Sequence, residues 1–137
     1  MTISKIKILH DMLKSGEISC VELTQKYIDS IKAENDKLNA YVFTTEDLAL
    51  EQAKAVDEKI KNGEEIGLLE GIPMTLKDNI STNGIETTCC SKILTGYKPI
   101  YDAFVWNELK KQGAILLGKT NMDEFAMGST CETSYYG

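Results

Sequence analysis

A lysine follows a short apolar run in residues 71–80, which read GIPMTLKDNI. At the carboxyl end of a buried strand, a lysine acts as a general base only if burial lowers its pKa from about 10.4 toward neutrality. A carboxylate held close opposes that change, so a base role for Lys77 requires the side chain of Asp78 to point away from it. The alternative is a surface lysine that keeps its charge in water.

A second candidate segment, KTNMDEFAMGST, follows the last apolar run of the chain. Thr120 or Asn121 is expected to cap a helix here, with Asp123 and Glu124 in its first turn interacting favourably with the helix dipole. The residues Met127–Ser129 are small and flexible enough to border a ligand.

Other hydrolase chemistries find little support in the sequence. His10 is the only histidine, which argues against a histidine-activated nucleophile and against a multi-histidine metal site. The cysteines lack the Cys-x-x-Cys spacing of a zinc site and the density of a disulfide scaffold. We expect no bound metal, and we expect the four cysteines to be small buried side chains; they are Cys20, Cys89, Cys90 and Cys131.

Composition bounds the remaining functional classes. The 137 residues carry a net charge of -6 with the two signs interspersed, so we expect no direct binding to a nucleic-acid backbone. No stretch approaches the roughly 18 apolar residues of a membrane span. A cytoplasmic protein with an ordinary hydrophobic core is expected.

The hydrophobic pattern predicts helices and strands in alternation. An amphipathic helix over 4–14 stops at Gly16, and a second helix over 19–34 opens on a capping box at Ser19 and ends at Asn35. The other predicted elements are strand 38–44, helix 45–63, strand 72–76, a short helix at 91–94, helix 102–112 and strand 114–118.

The last two strands are candidates for a parallel pair. Strands 72–76 and 114–118, joined through helix 102–112, form a right-handed crossover if they are adjacent, which predicts an α/β fold. Pro73 confines the first of them to an edge or a bulge. Chemistry in such sheets collects at the carboxyl ends of the strands, so the two candidate segments are expected to converge. We treat residues 1–137 as one piece of a single domain.

Residues 71–79 and 118–129 together resemble the amidase signature family. The similarity extends to TTC at 87–89, SKIL at 91–94 and PIYDA at 99–103, and it is greatest to the tRNA-dependent glutamine amidotransferases of that family. The resemblance implies the amino-terminal portion of the amidase signature fold, a mixed sheet flanked by helices, here incomplete.

The same resemblance implies a Ser-cisSer-Lys triad, in which a neutral lysine activates one serine and that serine activates the nucleophilic serine. Lys77 matches the family's lysine, while Met127 and Ser129 match positions that border the substrate. The triad serines and the oxyanion hole are expected beyond Gly137. The chain alone is therefore expected to be inactive.

In the family's amidotransferases, glutamine is the ammonia donor. The resemblance implies that ammonia passes to a B subunit, which contacts the tRNA and converts ATP-activated glutamyl-tRNA to glutaminyl-tRNA, while a small C subunit clasps the other two. No cofactor is expected on this chain, because ATP and magnesium are used by the complete complex. Two alternatives stay open: another amidase of the same family, and a non-catalytic interaction module.

Overall fold

The computed structural model describes residues 4–137. Two helices are followed by strands and helices in alternation, as the hydrophobic pattern predicts. They are α1 (Lys5–Ser15), α2 (Cys20–Leu38), β1 (Tyr41–Thr44), α3 (Glu46–Lys61), β2 (Pro73–Lys77), α4 (Phe104–Lys111) and β3 (Ile115–Thr120), with short 3-10 turns at Lys92–Leu94 and Glu124–Ala126.

The chain divides into two compact units. Unit 1 takes the residues up to Ser30, Thr45–Met74 and Glu108–Leu117, and its buried side chains are apolar except for that of Thr24. A Cβ at Gly71 (φ 79°) would lie only 3.0 Å from the Cys20 thiol, so glycine allows helix α2 to pack closely there. The buried apolar side chains of unit 1 are Leu13, Cys20, Leu23, Ile28, Ala49, Ala53, Val56, Ile66, Ile72 and Ala114–Leu117.

The start of α2 is held both locally and from a distance. The Ser19 N–H donates to the Glu22 carboxylate and the Glu22 N–H donates to the Ser19 hydroxyl, which confirms the predicted capping box. The Asp57 carboxylate, from α3, accepts the N–H groups of Cys20 at 2.6 Å and Val21 at 3.0 Å. All four otherwise unpaired N–H groups of the helix end are thereby satisfied.

The sheet is mixed, with strand order β1-β3-β2. β1 pairs antiparallel with β3, and Thr44 faces Gly118. The Ile115 N–H donates to the Ile72 carbonyl and the Asp78 N–H donates to the Thr120 carbonyl, so β2 and β3 run parallel. The predicted α/β class, the parallel pair and the edge position of β2 are confirmed.

Two predicted boundaries are wrong. Helix α2 does not end at Asn35 but continues to Leu38, and it ends where Asn39 adopts a left-handed conformation (φ 49°). The Asn35 side chain exchanges two hydrogen bonds with the backbone of Tyr41, so it fixes the approach to β1 instead of stopping the helix. That extension removes residue 38 from the predicted strand, and β1 begins only at Tyr41.

Candidate active site

The buried side chains of unit 2, which consists of Ile31–Thr44, Thr75–Asn107 and Gly118–Gly137, are mostly polar. Burying a polar group costs free energy unless hydrogen bonds or opposite charges compensate it. The buried polar side chains of unit 2 must therefore be paired with one another or with the backbone. Its apolar members are Leu76, Cys90, Pro99, Trp106 and Met122, and its polar members are Asp78, Thr82, Thr87, Thr88, Ser91, Lys119 and Asp123.

Lys119 is fully buried, with 0% of its side chain exposed. It lies inside β3, which extends two residues beyond the predicted strand 114–118 and ends at Thr120. Its ammonium donates to the Ile80 carbonyl at 2.6 Å, the Thr87 hydroxyl at 2.8 Å and the Thr82 hydroxyl at 3.3 Å. All three ammonium hydrogens thus have an acceptor.

Burial lowers the pKa of Lys119 to about 8, and the nearby carboxylate of Asp78 opposes that shift. The group is therefore mostly protonated at neutral pH, in agreement with its three acceptors. A lysine can act as a general base only if burial lowers its pKa. Burial lowers the pKa of Lys119 in this way. Its amine has no exposed surface and no unused hydrogen, so Lys119 acts as a structural cation in this state.

Asp78 is equally inaccessible, and almost all of its polar atoms are used. Its carboxylate oxygen Oδ2 accepts hydrogen bonds from the Thr88 N–H, the Thr88 hydroxyl and the Cys90 N–H. Its other oxygen, Oδ1, accepts no hydrogen bond from the described residues and lies 3.8 Å from the Lys119 ammonium. The carboxylate is therefore directed into the interior of unit 2.

Lys77 is the last residue of β2 and its side chain is exposed. Successive side chains of a strand point to opposite faces, which explains why Lys77 is outside while Asp78 is buried. The Ile80 N–H donates to the Lys77 carbonyl at 2.9 Å and closes a turn over residues 77–80, called the 77–80 turn below. The condition set by the sequence, that Asp78 point away from Lys77, is met.

The segment after β3 is a loop organised by Asp123, called the 123–133 loop. The Asp123 carboxylate accepts the N–H groups of Thr130, Cys131 and Thr133, and also the Thr133 hydroxyl. Gly128 lies against it, because a Cβ there would approach Asp123 Cγ to 2.3 Å. Hydrogen bonds from Cys131 and then Thr133 hold the pKa of Asp123 below its ordinary value, although burial opposes them.

The predicted helix at Thr120 or Asn121 is wrong. Asn121 donates its side-chain amide to the Asn39 carbonyl and accepts from the Ser134 hydroxyl, so it does not cap a helix. Only the 3-10 turn Glu124–Ala126 follows. Asp123 and Glu124 do not serve a helix dipole, since their carboxylates bind the loop backbone and the Ser91 hydroxyl instead.

Met127 and Ser129 lie on the exposed side of the 123–133 loop. Met127 is 75% exposed, and Ser129 is also exposed. Their predicted role at the border of a substrate stays a prediction, as does the base role of Lys77. Gly128 between them is fixed on Asp123, so Asp123 determines where these two residues stand.

Several residues other than glycine adopt left-handed backbone angles in this region. They are Cys89 and Cys90 (both φ 51°), Phe125 (φ 52°), Ala126 (φ 61°) and Cys131 (φ 63°). Each such residue costs about 1–3 kcal/mol, and such strain concentrates at functional sites. Their grouping marks the turn 88–91 and the 123–133 loop as a candidate site.

Backbone contacts connect the end of β2 to the 123–133 loop. The Cys89 N–H donates to the Asp78 carbonyl, and the Cys89 carbonyl accepts the Phe125 N–H, both at 3.0 Å. The Ser91 hydroxyl donates to the Glu124 carboxylate. The two candidate segments thus meet through the turn 88–91, as their places after parallel strands predicted.

The sequence did not predict that Lys119 and Asp78 form the polar centre of this site. One signal was available, since a lysine that continues the apolar run of a buried strand must be buried with it. Lys119 and Asp78 lie 41 positions apart in the sequence, so no local sequence pattern indicates that they pair. The prediction of four buried cysteines is confirmed for Cys20 and Cys90. It is wrong for Cys131, which lies exposed on the 123–133 loop, and Cys89 is only half-buried; all four are free thiols.

Neither a metal cluster nor a membrane-spanning helix is found in the described part of the chain. Among residues 4–137, no group of three or more histidine, cysteine, aspartate or glutamate side chains is arranged to hold a metal ion. Within the same residues, no helix has the length and apolarity needed to cross a membrane.

Comparison with known proteins places these features in a family. The sequence matches the amidase family profile over residues 22–137. It is 54% identical over 132 residues to the A subunit of glutamyl-tRNA(Gln) amidotransferase from Streptococcus thermophilus, covering 96% of this chain and 27% of that protein. The corresponding protein of Brucella ovis is 51% identical over 137 residues, covering 100% and 28%. The chain thus spans little more than a quarter of these relatives, at their amino-terminal end.

Several solved structures, two of them named as amidases, have the same fold over this region. One, from a vestigial protein complex described in relation to the origins of an s-triazine catabolic enzyme, has a TM-score of 0.92 at 33% identity and covers 98% of this chain and 30% of that one. The peptide amidase of Stenotrophomonas maltophilia has a TM-score of 0.83 at 34% identity and covers 89% and 25%. A bacterial aryl acylamidase has a TM-score of 0.83 at 27% identity, and the match covers 89% of this chain and 26% of that one.

Proposed function

Because the chain belongs to the amidase signature family, we propose that it is the amino-terminal part of the glutamine-hydrolysing A subunit of a tRNA-dependent amidotransferase. The observation that carries the proposal is the level of identity. It is 51–54% to several proteins named as that subunit, against 34% to the peptide amidase and 27% to the aryl acylamidase. The alternative of another amidase of this family is correspondingly disfavoured.

In the proposed reaction, Lys77 is the general base. Its amine takes a proton from one serine, which takes the proton of the nucleophilic serine, and that oxygen attacks the side-chain amide of glutamine. The proton returns through the same relay to the amide nitrogen, which leaves as ammonia, and water then hydrolyses the acyl-enzyme to release glutamate. One feature supports this role: the Asp78 carboxylate is directed inward toward Lys119, away from Lys77. The Lys77 side chain is exposed in this chain, so the burial that a neutral base requires would come from other parts of the A subunit.

The proposed role of Met127 and Ser129 is to border the glutamine. Both side chains are exposed on a loop whose backbone is held by Asp123 and connected through Cys89 to the strand end that carries Lys77. Such a loop keeps substrate contacts in a fixed place relative to the base.

The partners proposed for this chain are the B and C subunits of the amidotransferase. Ammonia would pass to the B subunit, where glutamyl-tRNA activated by ATP becomes glutaminyl-tRNA, and tRNA would be contacted mainly there. We propose that ATP and magnesium act in the complete complex and that this chain holds no cofactor of its own.

The direct test is a chimera. Residues 1–137 replace the matching part of the A subunit of Streptococcus thermophilus, which is assembled with its B and C subunits, and ammonia release from glutamine is measured. The chimera should be active, and Lys77→Ala should reduce kcat by about 100-fold or more, because a positioned general base contributes about that much. Lys98→Ala, at another exposed lysine, is the matched control. Full activity in the Lys77→Ala chimera would exclude the base role.

A second measurement concerns the 137 residues by themselves. By the family resemblance, the reaction also needs two serines that follow the second motif, so we propose that this chain alone releases no ammonia from glutamine above its Lys77→Ala variant. Turnover above that baseline would contradict the proposal. Capture of B or C subunits by the chain without turnover, and an inactive chimera, would instead favour the non-catalytic interaction module.

A further inference from the structure

Lys119 and Asp78 both form hydrogen bonds that hold the backbone next to Lys77. Both are completely buried, with Lys119 Nζ and Asp78 Oδ1 3.8 Å apart. We infer that Lys119 and Asp78 are positioning residues for Lys77, which together fix the 77–80 turn and thereby the direction of the lysine amine. The inference rests on the proposed role of Lys77 as the base.

Lys119 holds the far end of the 77–80 turn. Its ammonium donates to the Ile80 carbonyl at 2.6 Å, and the Ile80 N–H donates to the Lys77 carbonyl at 2.9 Å. The turn is thus closed at Lys77 and fixed at Ile80 by a charge-assisted hydrogen bond, which is about twice as strong as a neutral one. The hydroxyls of Thr82 and Thr87 complete the ammonium's partners and keep it in place.

Asp78 holds the middle of the same turn. Its N–H donates to the Thr120 carbonyl at 3.1 Å, and its carbonyl accepts the Cys89 N–H at 3.0 Å. Its carboxylate accepts from Thr88 and Cys90. The residue directly after Lys77 is therefore bound on both sides, to β3 and to the turn 88–91, which leaves the backbone at Lys77 little freedom to rotate.

The test uses the active chimera with Lys119→Met, Asp78→Asn and the double variant. Each single change should reduce kcat by about 100-fold while KM changes little, because a base displaced by about 1 Å loses about that much rate. The double variant should lose about as much as either single change, because both residues hold the same turn.

Two further variants guard against simple misfolding. Thr87→Val removes one hydrogen bond to Lys119 without changing any charge, and it should reduce kcat less than Lys119→Met, again with KM little changed. Lys98→Met, at an exposed lysine, should leave kcat as it is. A loss of folding would also appear in the circular dichroism spectrum, whereas a displaced base lowers kcat in a chimera that is still folded.

The outcomes separate this inference from the proposed function. An inactive chimera, or one indifferent to Lys77→Ala, overturns the proposed function. An active, Lys77-dependent chimera whose kcat is unchanged in Lys119→Met and Asp78→Asn overturns the positioning role.

Amide hydrogen exchange on the 137-residue chain tests the structural basis of the inference without any turnover. Lys119→Met should speed exchange at the N–H groups of Asp78, Ile80 and Cys89 and leave the interior of α3 unchanged. Unaltered exchange at those three positions would also overturn the positioning role.

Discussion

Gly118 is the position at which the sheet of this protein is least tolerant of a side chain. Its φ is 155°, and a Cβ there would lie 2.2 Å from the Phe43 carbonyl oxygen and 3.0 Å from Thr44 Cα. Both atoms belong to the backbone of β1, which pairs with β3 at this point. No change of side-chain rotamer can relieve the overlap, so Gly118→Ala forces the two strands apart.

The cost of Gly118→Ala has two parts. Backbone angles that only glycine adopts readily cost about 1–3 kcal/mol for another residue. Overpacking against rigid neighbours costs about 1–3 kcal/mol more. We expect a loss of about 2–6 kcal/mol in the free energy of unfolding, a large part of the 5–15 kcal/mol that is typical of a whole domain.

The assay is urea unfolding followed by circular dichroism, with Gly67→Ala as the matched control. A Cβ at Gly67 has its nearest neighbour, Glu70 Oε2, at 4.0 Å, so that change should be close to neutral. Surface substitutions usually change the free energy of unfolding by less than about 1 kcal/mol. If the free energies of unfolding of Gly118→Ala and Gly67→Ala differ by no more than that, the close approach of β1 and β3 at this residue is wrong.

Three further predictions concern single interactions. Asp57→Ala removes the acceptor of the Cys20 and Val21 N–H groups and should lower the free energy of unfolding by about 0.5–2 kcal/mol in the same urea assay; no loss would mean that water replaces the carboxylate. Because the pKa of Asp123 is lowered from 3.8, this carboxylate stabilises its loop above pH 3.8 and that contribution is lost as the pH falls through the lowered pKa. The amide proton shift of Cys131 should titrate over that acidic range, and an unchanged shift in Asp123→Asn at all pH values is the control. Burial raises the pKa of Cys20 to about 12, so iodoacetamide at pH 8 should label exposed Cys131 and spare Cys20 in the native chain, as mass spectrometry can show; the reverse order would contradict the burial of Cys20.

Features that depend on neighbouring residues could be predicted from the sequence. The capping box at Ser19 and Glu22, the left-handed Gly16 that ends α1 and the buried apolar run of β3 all occur as predicted. Each has a cause within a few residues, such as a side chain that reaches its own helix end or an unbroken apolar strand. The α/β class follows from the order of these elements.

Features that depend on distant partners could not be predicted. Asn35 is of a residue type that often ends helices, yet its side chain binds the backbone of Tyr41. Asp123 has the position of a first-turn acid, yet it binds N–H groups seven to ten residues further along the chain. In both cases the local preference is weak, about 1 kcal/mol, and several tertiary hydrogen bonds outweigh it.

The candidate site was predicted only in part. The convergence of the two segments followed from strand direction, but the polar interior that joins them involves Lys119 and Asp78, which are far apart in sequence. A lysine in an apolar strand can be recognised as buried, whereas its counter-charge cannot be identified until the strands are aligned.

The buried ion pair also restricts which alignment of β2 and β3 the chain can adopt while it folds. A slip of one residue along either strand turns every side chain to the opposite face. Asp78 would then stay inside without Lys119, or Lys119 without Asp78, and an isolated buried charge of this kind costs about 3–5 kcal/mol. Two wholly apolar strands would tolerate the same slip at lower cost. The two charges therefore select a single register for the parallel pair before any reaction is considered.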